Sequence, residues 1–87
     1  MKHAGPAALQ QIEPLLVQVR AFVGLVEKKP GVFYLRSRAF LHFHEDPSGV
    51  FADVRVSDAF QRINVSKQDG HETLIQCIRT ALLRSKY

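Results

Sequence analysis

The apolar positions of the chain change period twice. From Pro14 onward, Leu15, Leu16, Val19, Phe22, Val23 and Val26 fall at offsets 0, 1, 4, 7, 8 and 11. That is one stripe of a 3.6-residue repeat, and it predicts an amphipathic helix over residues 14–26. Pro14 suits the first turn, where its missing N–H costs nothing. Residues 7–12 predict an earlier helical turn, bent at Pro14. Lys28 and Lys29 then complement the helix C-terminus, and Pro30-Gly31 stops it.

The middle of the chain alternates with period two. Residues 32–36, 40–45 and 50–56 are rich in aromatic and β-branched side chains, which predicts three strands. Asp46-Pro47-Ser48-Gly49 has the residue order of a type I turn and closes a hairpin. A fourth short strand is expected over residues 60–65. The last segment returns to helical spacing, with Leu74, Ile75, Ile78, Ala81 and Leu82 in one stripe. Ser66-Lys67-Gln68-Asp69 reads as a capping box with Val65 as its staple. Gly70 weakens that first turn and moves the expected start to His71, and Arg84 and Lys86 suit the C-terminal end. The sum is a single α+β domain over residues 1–87. It has a helix, an antiparallel three- to four-stranded meander and a C-terminal helix, with the helices packed on one sheet face.

Strand register decides which side chains share a face. A turn at Asp46–Gly49 pairs Glu45 with Val50, His44 with Phe51, Phe43 with Ala52, His42 with Asp53 and Leu41 with Val54. For the first hairpin, a two-residue loop sets Tyr34 beside Leu41. A three-residue loop, Ser37-Arg38-Ala39, sets Leu35 beside Leu41 and Phe33 beside Phe43. The second keeps one face apolar, so burial selects it. The inner face then carries Phe33, Leu35, Leu41, Phe43, Ala52, Val54 and Val56. The outer face carries Tyr34, Arg36, Phe40, His42, His44, Phe51, Asp53 and Arg55. A sheet covered on one side usually shows a plainly polar outer face, and this one is mixed.

Composition narrows the class. The 87 residues carry 12 Lys plus Arg against 8 Asp plus Glu, a net charge of +4. The surplus lies in residues 1–30 and 63–87, while residues 31–62 balance at four against four. No block of five basic residues exists, so the signal for a polyanion partner is weak. The single Cys77 cannot form an internal disulfide and reads as a small buried hydrophobe in a reducing compartment. Residues 1–6 contain no signal-peptide core, and no apolar run is long enough to span a membrane. A cytoplasmic location is the expectation. His71 is expected to be solvated.

Three groupings could carry chemistry. Tyr34, His42 and Asp53 form a row across three strands in this register, and an Asp beside a His raises the imidazole pKa. The bland reading is a polar cross-strand ladder, and no Ser or Cys nucleophile stands beside the row. His42 and His44 place two imidazoles on one face, a partial metal site at most. Arg36 and Arg55 flank Phe40 and either stack on it or grip a carboxylate or phosphate, with Arg38 adding charge.

The stretch from Ala39 to Ala59 resembles small bacterial proteins of unknown function and the bacterial luciferase-like domain family. It shares with that family an H-x-H on a strand, a turn with Asp and Ser or Gly, and a following strand. The matching positions are His42, His44, Asp46, Ser48 and Asp58. The resemblance implies a bacterial α+β domain with a His-bearing sheet face, and no activity is carried over.

These observations favour a non-enzymatic binding or interaction module using the outer face. Its ligand-binding residues would be Tyr34, Arg36, His42, His44, Asp53 and Arg55, and its ligand a small anion. Phe40 and Phe51 would form an interface for a homodimer through the same face. A nucleic-acid-binding domain is the first alternative. A small His-dependent hydrolase or metal-binding enzyme is the second. No cofactor or bound metal is expected.

Overall fold

A computed structural model describes residues 1–84, so Lys86 lies outside the described residues. The elements run β1 (Lys2–His3), α1 (Pro6–Gln11), α2 (Glu13–Arg20), β2 (Leu25–Lys29), β3 (Val32–Leu35), β4 (Arg38–Asp46), β5 (Gly49–Val56), β6 (Ala59–Asn64) and α3 (Gln68–Arg84). Strands β2 to β6 form one antiparallel meander in chain order, and β1 pairs with β4 off that path. The helices cover one face. Leu9, Ile12, Leu16, Val19, Leu74 and Ile78 meet Phe33, Leu41, Phe43, Ala52 and Val54 in a single core. This is the α+β class that the periodicity implies, with two more strands than it announced.

The extra strand β2 corrects the first helix. The stripe through Val26 predicts helix, but α2 ends at Arg20. Its last turn tightens, with Ala21 and Phe22 N–H groups donating to the Gln18 and Val19 carbonyls three residues back. Val23 is 93% exposed, so it belongs to no buried stripe. Leu25–Lys29 instead pairs with β3 through Pro30-Gly31, and Gly31 takes φ +78 as the third residue of a type II turn requires. An added Cβ at Gly31 would also lie 3.0 Å from Leu9. Glu27 locks the corner, accepting two hydrogen bonds from Arg20 and one from the Gly31 N–H. Pairing β3 satisfies backbone groups that a longer helix would leave open.

The second hairpin has the register read from the sequence, from Glu45 opposite Val50 to Leu41 opposite Val54. The first does not. Arg36 and Ser37 form a two-residue loop at φ +52 and +68, a type I′ turn, and Leu35 pairs with Arg38. A bulge then leaves Phe40 unpaired between Ala39 and Leu41, so Phe33 faces Leu41 and Val32 faces His42. The bulge buries Phe40 and Leu41 together, at 3% and 0% exposure. Burying a phenyl ring contributes about 1.5–3 kcal/mol, which offsets part of the roughly 1–3 kcal/mol that each left-handed turn residue costs.

Helix α3 begins at Gln68 rather than His71. Ser66 does not cap it. Its hydroxyl accepts from the Val50 N–H at 2.9 Å and ties the helix approach to β5. Gly70 is required there, because a Cβ would stand 1.8 Å from the Asn64 carbonyl oxygen. His71 is partly buried rather than solvated, with Nε2 2.7 Å from the Val65 carbonyl oxygen. Among the described residues, no helix is long and apolar enough to cross a membrane.

Candidate functional site

Two places on the fold gather chemistry-bearing side chains. The first is the open sheet face. Alternation along β4 and β5 directs His42, His44, Phe51, Asp53 and Arg55 away from the helices. The pairing of β1 with β4 adds His3, which the sequence reading missed because two residues carry no periodicity. Its ring stacks on His44 with centroids 5.1 Å apart and lies 6.1 Å from His42. The clip is held by the Ala4 N–H donating to the Phe43 carbonyl and the Gly5 N–H to Glu45.

The expected Tyr34–His42–Asp53 row is not formed. The two-residue turn sets Tyr34 opposite Ala39, and its ring lies beneath the Lys28 ammonium, 5.2 Å away. Asp53 does face His42, but its carboxylate is engaged by Arg62 through hydrogen bonds of 2.8 and 2.9 Å. Those bonds hold the Asp53 carboxyl below the usual aspartate range. The expected rise in the His42 pKa is also reversed. Burial pushes it down, and the nearby His44, His3 and Arg55 outweigh the opposing pull of Asp53. Burial likewise lowers His44, whose Nε2 lies 3.4 Å from Asp53. Both imidazoles therefore favour the neutral form, and the His44–Asp53 contact is an ion pair only when acid charges the ring.

The three imidazoles do not make a preformed metal centre. Among the described residues, no group of three or more His, Cys, Asp or Glu could hold a metal ion. The His3 and His44 planes lie only 23° apart, face to face, so their ring nitrogens do not converge on one point.

The second place is a cavity of about 380 Å³ at one end of the sheet. The β3–β4 turn, the end of β5 and the C-terminal half of α3 enclose it. Arg36, Arg38, Arg55 and Arg84 line it together with Phe40 and Cys77. Arg36, expected on the strand face, is instead carried by the left-handed turn to this rim. Arg55 is fixed from two sides: its Nε donates to the Ala39 carbonyl at 2.8 Å, and its guanidinium lies 4.5 Å from the Phe60 ring centre. The cation–π partner is thus Phe60, not Phe40. No carboxylate among the described residues forms an ion pair with any of the four arginines.

Phe40 belongs to the core and the cavity wall, which corrects its expected place in an exposed interface. Phe51 stays on the open face, half-buried opposite His44. Phe60, not singled out from the sequence, is the more exposed aromatic there at 42%, and its ring lies 5.3 Å from that of His42. Arg84 was legible in principle: Cys77, Ala81 and Arg84 share one helix face by spacing. Comparison with protein-family models, curated proteins and solved structures finds no match to this chain.

Proposed function

We propose that the chain is a non-enzymatic binding domain that takes a small anion at the arginine-lined cavity. The observation that carries this is four guanidiniums around one mainly apolar hollow, none paired with a carboxylate among the described residues. Arginine presents a planar fork of donors that matches carboxylate or phosphate oxygens. Arg55 is already immobilised by Ala39 and Phe60, so little side-chain freedom is lost when an anion arrives. The open His face offers less. Its main charges, Asp53 and Arg62, neutralise one another, and burial favours the uncharged form of His42 and His44.

Nuclear magnetic resonance titration with acetate and inorganic phosphate tests the proposal. Shifts concentrated at the Arg55 Nε and the Arg36–Arg38 amides support it. Shifts confined to His3, His42 and His44 would move the site to the sheet face, and none at either place would end it.

A second reading is binding to nucleic-acid phosphates, favoured by the clustering of the same arginines at one end of the molecule. It requires affinity for duplex or single-stranded DNA that falls steeply with salt. Salt-insensitive or absent binding removes it.

A further inference from the structure

We infer that the ligand of this cavity is amphipathic: an oxyanion head carried on an apolar body. The inference rests on the anion-binding proposal and adds the part of the ligand that the arginines do not explain. The cavity, at about 380 Å³, falls within the range of small-molecule sites, about 300–1,000 Å³, and far exceeds the needs of a bare oxyanion. Its charge is distributed unevenly. Arg36, Arg38 and Arg84 are exposed and stand where the hollow meets solvent. Its apolar walls are the half-buried Leu35, Val56, Ala81 and Cys77 and the nearly inaccessible Phe40.

Among the described residues no acidic side chain lines the cavity, and the other polar walls are the neutral Ser57, Gln76 and Thr80. A hollow with apolar walls gives water few hydrogen-bond partners, so an apolar group displaces that water at little cost. The head therefore meets the guanidiniums at the mouth, and the body extends toward Phe40 past Cys77 and Ala81.

The test uses the intact chain and the straight-chain carboxylates from acetate to decanoate, kept below micelle-forming concentrations. Octyl phosphate and octanol serve as companions. Affinity is read by calorimetry and location by protection of Cys77, the chain's single cysteine, against maleimide. Each methylene that enters the cavity is expected to tighten binding about fourfold, with a plateau once the cavity is full. Octanol should bind far more weakly than octanoate. The double variant Arg36→Gln with Arg38→Gln should weaken octanoate tenfold or more while leaving octanol unchanged. Both positions are exposed turn or strand-end residues, so the core is untouched.

Octyl phosphate against octanoate tells which oxyanion the fork prefers. Equal affinity for acetate and octanoate would overturn the amphipathic ligand and leave the anion site standing. Octanol binding as tightly as octanoate would overturn the anion site itself, and so would no binding by any of these probes. A chain-length trend without Cys77 protection would place the ligand elsewhere and defeat the inference.

Discussion

Truncation of Phe40 to alanine separates two pictures of this molecule. Simple alternation puts Phe40 on the open sheet face, where surface substitutions change stability by only about 0.5 kcal/mol. The bulge puts it in the core at 3% exposure. Removing a buried phenyl ring costs about 3–5 kcal/mol, as lost transfer energy plus the cavity left behind. Phe40 already borders an open hollow, so water can enter the vacated space, and the lower end, about 3 kcal/mol, is expected. A domain of this length has roughly 4–13 kcal/mol of stability in total, so the loss is a large fraction of it. It corresponds to a fall in Tm of about 12–24 °C. Urea denaturation followed by circular dichroism measures it, with Phe51→Ala on the open face as reference. A loss for Phe40→Ala below about 1 kcal/mol, or no larger than that for Phe51→Ala, would refute the bulge and the wall it gives the cavity.

Gly70→Ala should destabilise, although the same change inside a helix ordinarily gains about 1 kcal/mol. The new Cβ would stand 1.8 Å from the Asn64 carbonyl oxygen, so β6 or the helix start must move, and a gain in the urea midpoint would contradict that close approach. The pH dependence of stability should carry the imprint of the open face. His42 and His44 have folded pKa values lowered from 6.5, so the unfolded chain binds protons more readily. Their contribution is complete above about pH 6.5 and is lost as the pH falls from there through the lower folded values. The urea midpoint should drop between pH 7.5 and 5, and the double variant His42→Gln with His44→Gln should flatten that slope; an unchanged slope would refute the assignment. Asp53, held low by Arg62, adds a separate loss at more acid pH, as the pH falls from the ordinary aspartate range through its folded value.

The amino-acid sequence by itself settled whatever depended on short-range pattern. The 46–49 turn, with its Asp, Pro and Gly, left one register for β4 and β5, because a one-residue slip would turn Phe43 and Ala52 out to solvent. The stripe through Leu74 and Ile78 likewise defined one face of α3. The candidate arginines were visible as residue types, and so was their chemistry. Their meeting place was not. It depends on a left-handed turn at Arg36-Ser37, residues whose identities do not demand positive φ. That turn and the Phe40 bulge bring one more ring into the core at the cost of local strain, a balance struck only when helix, turn and sheet are together. The fate of residues 25–29 was decided in the same way. Their spacing fits a helix, but the open edge of β3 offers backbone hydrogen bonds that only the assembled sheet can supply. Periodicity reports what a segment can bury, and the tertiary structure decides which neighbour it is buried against.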